Sequence, residues 1–201
     1  EGTAIDGDDT GDRGVTGHGL EEAEVALDLA ARVEGRLTAT GVQAYLTRGP
    51  ALDGVLDDRT RAEFANATGA NLVISLHCDA MANPDASGVA AYYYGNDSHG
   101  AYSAIGEQFA GLIQREVVAR TDFVNLRAHP KTWDLLRYTT MAAVRVELGY
   151  LTNAHDAARL ADPAFRDVLA EAIVVAVQRV YLPRETDSPT GVLRLHDLSR
   201  S

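Results

Sequence analysis

One short run constrains the fold more than any other: Asn71-Leu-Val-Ile-Ser-Leu-His-Cys-Asp-Ala80. Leu72, Val73, Ile74 and Leu76 form an apolar segment too short for a buried helix, so it reads as a strand through a core. That strand ends abruptly on His77, Cys78 and Asp79. Loops at strand ends are where α/β folds keep their chemistry, and a histidine there is a candidate ligand or proton carrier. Taken alone it is equally a polar residue closing a strand.

The rest of the chain repeats the alternation of strand and helix. Thr3-Ala-Ile-Asp6 reads as an opening strand, followed by a Gly/Asp-rich loop from Gly7 to Gly19. Val25, Leu29, Val33 and Leu37 recur every fourth residue and predict a helix that Gly41 ends, with acids at its start favoured by the helix dipole. Residues 42–47 read as a strand, 59–67 as a short helix and 90–94 as a strand. A long helix is expected over 103–119, a strand over 144–148 and a well-buried last helix over 165–181. This order predicts a single α/β domain over 1–182, with a largely parallel sheet covered by helices on both faces. The segment 183–201 is polar and reads as a tail.

With 201 residues and an ordinary apolar content, the chain is long enough for one such core. No apolar run approaches the length of a membrane span. A net charge of −11 argues against nucleic acid as a partner. Cys78 is the single cysteine, which excludes an internal disulfide framework. Lys131 is the only lysine among the basic residues.

Three places can carry chemistry. His77 is the first. The second is Gly19-Leu-Glu-Glu-Ala-Glu24, a set of carboxylates at a helix start that equally serves the dipole. The third is Val146-Glu-Leu-Gly149, where Glu147 interrupts an apolar strand. A carboxylate there is costly unless it is paired, ligated or used. Glu, His and Glu at the edges of one sheet are the set a zinc hydrolase assembles. Such an enzyme needs metal ligands plus a carboxylate to take a proton from the bound water.

The segments GLEEAEVALDLA, RAEFANATGANLVISLHCDA and TMAAVRVELGYLTN, in this order, resemble the zinc-dependent N-acetylmuramoyl-L-alanine amidases of bacterial cell-wall turnover. The resemblance extends to Phe165-Arg166 and Ala170-Glu-Ala-Ile173 in the last helix. It implies a twisted mixed, mostly parallel sheet of about six strands flanked by helices. It also implies Glu22 and His77 as two zinc ligands, Glu147 as the catalytic base, and peptidoglycan or muropeptides as substrate.

One departure bears on the metal. Active members end the first strand with isoleucine-aspartate-proline-glycine-histidine-glycine, and that histidine is a zinc ligand. Here the strand reads Thr3-Ala-Ile-Asp-Gly-Asp-Asp-Thr-Gly11, and no histidine occurs before His18. His18, four residues ahead of Glu22, is a candidate substitute that equally reads as a solvated loop residue, with Asp8 or Asp9 as alternative oxygen donors. Met141-Ala-Ala-Val144 also lacks the proline common before the last strand, without catalytic consequence. Cys78 is expected to point away from His77 into the core, and His129 to lie on an exposed loop before Trp133.

A close alternative comes from the same resemblance. Some actinobacterial members have lost metal ligands and regulate peptidoglycan precursor synthesis inside the cell. The stretches from Ile113 to Thr121, from Thr132 to Arg137 and from Ser188 to Gly191 are similar to that branch. That reading implies a protein partner and a cytoplasmic location, whereas an active amidase implies the cell wall.

Overall fold

A computed structural model describes residues 14–47, 56–96 and 100–182, together with Asp187. Two short strands, β1 (Thr16–Gly17) and β2 (Leu20–Glu21), pair antiparallel and lead straight into helix α1 (Glu22–Ala39). Helix α2 (Asp58–Thr68) starts where the Asp57 carboxylate accepts the Thr60 N–H at 2.7 Å, and it ends at Gly69. Strands β3 (Leu72–Asp79), β4 (Val89–Asn96) and β5 (Ala101–Tyr102) follow, then helix α3 (Ala104–Arg120). Strand β6 (Asn125–Lys131), helix α4 (Asp134–Tyr138) and strand β7 (Ala142–Tyr150) come next. Helices α5 (Ala154–Ala161) and α6 (Pro163–Val180) close the described chain.

Among the described residues the central sheet has five strands in a mixed arrangement. β3 pairs parallel with β7, and β7 pairs antiparallel with β4. On its other side β4 takes β6 in parallel and β5 antiparallel. Two of the three long ladders are parallel, as expected for a mixed, mostly parallel sheet of about six strands flanked by helices, of which five lie among the described residues. Among the described residues, 42–47 pair with no strand, and Val42, Tyr45 and Leu46 are exposed there. The expected strand at Thr3 to Asp6 lies outside the described residues, as does the 183–201 tail apart from Asp187.

Helices α1, α3 and α6 pack on one another and on one face of the sheet, whereas α2 and α4 pack together, with α4 against β7 and β4. The core lies under the first group. Leu29, Phe109, Ile113, Leu169 and Ile173 meet Val144, Val146 and Leu148 of β7 there. Because strand side chains alternate between faces, Ile74, Leu76 and Cys78 of β3 and Val89, Ala91 and Tyr93 of β4 join that core. The intervening residues are turned the other way: Ser75, His77 and Asp79 on β3, Arg145 and Glu147 on β7, Tyr92 and Tyr94 on β4. One face of the sheet holds the molecule together and the other carries its polar groups.

Charge pairs tie α1 to α6. Arg32 donates to Asp28 at 2.7 Å and to Asp167 at 2.6 Å, and Arg166 reaches back to Asp28 at 2.6 Å. Hydrogen bonds from Arg32 and Arg36 hold the Asp167 carboxyl below its ordinary value. A carboxylate depressed in the folded state stabilises fully above its unfolded pKa and loses that contribution as pH falls through the folded one. Melting temperature is therefore expected to drop on acidification below about pH 4, and less steeply in Asp167→Asn. Equal pH slopes for the two proteins would refute this role.

Candidate functional site

The register of the sheet builds the site. His77 on β3 lies beside Glu147 on β7, which lies beside Ala90 on β4. One step along the strands, Ser75, Arg145, Tyr92 and His129 form the adjoining row across four strands. Both rows belong to the face opposite the core.

Glu22 joins them from the first turn of α1. Its Oε1 accepts the His77 Nδ1 proton at 2.8 Å, and Oε2 accepts the Val15 N–H at 3.0 Å. The Val15 bond depends on Gly14, which has a φ of +73°. A Cβ there would fall 2.3 Å from Glu22 Oε2. With Nδ1 donating, the neutral ring leaves Nε2 to accept the Ser75 hydroxyl at 2.8 Å. Burial pulls the Glu22 pKa upward, but the His77 hydrogen bond and charge, with the Val15 and Cys78 N–H groups, outweigh it. The carboxyl sits below its usual range.

Glu147 is the opposite case. It is only 5% exposed. Burial raises its pKa above the ordinary carboxylate value despite the pull of Arg145 and His77. Arg145 Nε donates to Oε1 at 2.7 Å. Oε2 is buried and has no hydrogen-bond partner among the described residues. Burial of an acceptor without a donor is unfavourable, so this oxygen is prepared for a proton, a water or a ligand N–H. Just beyond it, Gly149 takes a φ of +94° where the β3–β7 ladder shifts register between His77 and Asp79, before Tyr150 ends the strand.

The remaining expectations fall as follows. His18 lies exposed in the turn between β1 and β2, with a φ of +48°. Among the described residues no three His, Cys, Asp or Glu side chains gather in a group that would hold a metal ion, so His18 does not complete a triad with Glu22 and His77. Asp8 and Asp9 lie outside the described residues. Cys78 is buried in the core, where desolvation pushes its thiol well above the ordinary range. His129 is exposed, but it belongs to β6 rather than to a loop, and its Nε2 donates to the Leu126 carbonyl at 2.6 Å. An edge ladder with β4 organises that segment despite Pro130.

Sequence reasoning missed Arg145, Ser75 and Trp133. Arg145 stands two residues before Glu147, so the period of a strand was the signal that puts the two on one face. Trp133, which precedes α4, packs its ring 4.7 Å from that of Tyr92 and 4.9 Å from the Arg145 guanidinium carbon.

The donor types fit zinc, which takes imidazole nitrogen and carboxylate oxygen. The number does not reach three within the described residues. Two ligands of a tetrahedral ion, each at about 2.1 Å, stand roughly 3.4 Å apart; Glu22 Oε1 and His77 Nδ1 are 2.8 Å apart.

Comparison with known proteins agrees with this layout. The profile of the amidase type 3 family, N-acetylmuramoyl-L-alanine amidase, matches residues 5–179. That family is generally zinc-dependent. N-acetylmuramoyl-L-alanine amidase CwlM of Mycobacterium tuberculosis is 45% identical over 195 residues, covering 92% of this chain and 47% of CwlM. The chain thus spans less than half the length of that relative. Among solved structures, N-acetylmuramoyl-L-alanine amidase AmiC2 of Nostoc punctiforme superposes with a TM-score of 0.74 at 30% identity, over 84% of this chain and 89% of AmiC2. The amidase Ami1 of Mycobacterium smegmatis gives a TM-score of 0.73 at 26% identity, over 83% of this chain and 80% of Ami1. With the profile spanning nearly the whole described domain, and the polar face of the sheet arranged as above, the chain belongs to the N-acetylmuramoyl-L-alanine amidase family.

Proposed function

We propose that the domain acts on peptidoglycan or its muropeptides, hydrolysing the amide between the lactyl group of N-acetylmuramic acid and L-alanine. The observation that carries this reading is the meeting of Glu22, His77 and Glu147 on one polar sheet face, with Glu147 Oε2 buried and unpartnered. Glu22 and His77 would hold zinc, with a third donor from Asp8 or Asp9. A bound zinc supplies polarisation of the scissile carbonyl and a more acidic water.

The chain's own groups do the rest. Glu147 takes a proton at Oε2 and returns it to the leaving amine; its raised pKa brings it nearer to neutral, where a base must both accept and release. Arg145 holds Oε1, so the carboxylate presents one oxygen in a fixed direction. Ser75 orients the His77 ring through Nε2.

A second reading is a binding or regulatory module without turnover, acting on a protein or muropeptide partner. One observation favours it: the positive charge beside Glu147 is supplied by Arg145 at 2.7 Å, so the carboxylate is neutralised without a metal. The amidase reading is preferred because Glu22, His77 and Glu147 keep the residues expected at those family positions.

Elemental analysis of protein never exposed to chelator, combined with mass spectrometry of muropeptide digests, tests the two readings. Stoichiometric zinc and release of the free stem peptide are expected. Glu147→Gln is expected to slow cleavage by about 10²–10⁴-fold while keeping the metal. A folded protein that neither takes up added zinc nor cuts muropeptides would overturn the amidase reading in favour of the regulator.

A further inference from the structure

Beside the Glu147 row lies a group of side chains that the hydrolytic chemistry does not use. The Lys131 ammonium, at the end of β6, stands 5.3 Å from the Trp133 ring centre and 5.9 Å from that of Tyr92. The Arg145 guanidinium lies over the same Trp133 ring. Two cations are thus held against one aromatic pair, an arrangement that fixes flexible side chains through cation–π attraction. Arg145 is already committed to Glu147 through Nε. Lys131 is exposed and has no carboxylate partner among the described residues. In a chain carrying a net charge of −11, a held cation without a counter-ion among the described residues stands out.

We propose that Lys131, seated on Trp133 and Tyr92, is a specificity-determining residue that binds a backbone carboxylate of the peptide stem. The inference rests on the amidase reading of the neighbouring site and names the half of the substrate that lies over β4 and β6.

Chemistry decides which half. Around the scissile amide, the muramoyl side is uncharged, because its lactyl carboxyl is consumed in the bond. Only the peptide side carries carboxylates, so only that side gains from a cation. Geometry agrees. The Arg145–Tyr92 row is two strand residues from the Glu147 row, about 6.7 Å along the strand. Two extended peptide residues span about 7 Å. With the amide at Glu147, the carboxylate of the second stem residue reaches the row over which the Lys131 side chain bends. An ammonium and a carboxylate brought together beside an aromatic pair, partly out of water, form a charge-assisted hydrogen bond.

Trp133 is the chain's only tryptophan, so its emission reports on this spot alone. The test compares N-acetylmuramoyl-L-alanyl-D-glutamate with N-acetylmuramoyl-L-alanyl-D-isoglutamine, which replaces one carboxylate by an amide. The initial fluorescence change on mixing with the intact chain gives an affinity for each. The diacid is expected to bind roughly tenfold more tightly, with a preference that fades at high salt. Lys131→Met, a change at an exposed position, is expected to bring the two compounds to parity while leaving the amidated one unaffected. Equal affinities in the unaltered protein, or a preference that survives Lys131→Met, would overturn the assignment of Lys131 and leave the amidase reading standing. Absence of binding by both compounds would overturn both.

Discussion

Asp156→Ala is expected to destabilise the domain by about 3–5 kcal/mol, because a buried donor left without its acceptor costs on the order of 1–3 kcal/mol. Asp156 is fully buried near the start of α5. One carboxylate oxygen accepts the Gly88 N–H at 2.9 Å and the Tyr150 N–H at 3.0 Å; the other accepts the Ser87 hydroxyl at 2.8 Å. Gly88 immediately precedes β4 and Tyr150 ends β7, so a single side chain pins both strands at the end of the sheet where Glu147 sits. Alanine leaves the Gly88 and Tyr150 N–H groups, both buried, without their acceptor. Urea unfolding should show a lower midpoint with an unchanged slope. Asp156→Asn, which keeps one acceptor oxygen, should lose less. A shift for the alanine variant no larger than that of an exposed-site control would show that the strand ends hold without it.

Glu116→Ala is expected to produce a loss of similar size for a different reason. Glu116 is fully buried on α3 and meets Arg115 and Arg179, each at 3.1 Å, and also Arg120. Asp187 adds a two-pronged contact to Arg115 at 2.8 and 3.0 Å. Removing one member of a buried ion cluster costs about 3–5 kcal/mol, largely because the remaining charges stay buried without compensation. The effect should persist in high salt, which screens exposed pairs far more than enclosed ones. A thermal unfolding difference that salt erases would indicate that the cluster behaves as a surface network. The cluster joins α3 to α6 on the core side of the sheet, so muropeptide affinity of the folded fraction is expected to be unchanged.

The long elements were legible in the sequence because their apolar residues carry an unambiguous period. Val25, Leu29, Val33 and Leu37 gave α1, and the run from Leu72 to Leu76 gave β3. The elements that escaped are short or polar. Strand β6, Asn-Leu-Arg-Ala-His-Pro-Lys, lies at the border of the sheet with alternate residues exposed, and its proline reads as a loop. Helices α4 and α5 have five and eight residues, too few for a periodic signal to emerge. Conversely, residues 42–47 have the composition of a strand but no ladder neighbour among the described residues.

The candidate site was legible in parts. Glu147 stood out because a carboxylate within an apolar strand demands an explanation, and His77 because a strand ended on it. Arg145 did not stand out, since an arginine before a hydrophobic residue is unremarkable until the facing of the strand is known. His18 looked useful by spacing from Glu22. In the fold a tight turn points that stretch outward, and proximity in sequence does not become proximity in space.

Because each strand gives alternate residues to opposite faces, the polar groups of the candidate site and the groups that hold the domain together are inherited almost independently. A lineage can exchange Arg145, or the residue at position 77 or 147, without disturbing Val144, Val146 or Leu148. Descendants of such a domain are therefore free to abandon, modify or recover turnover while the architecture persists, and shared ancestry alone is a poor guide to which of them still cut.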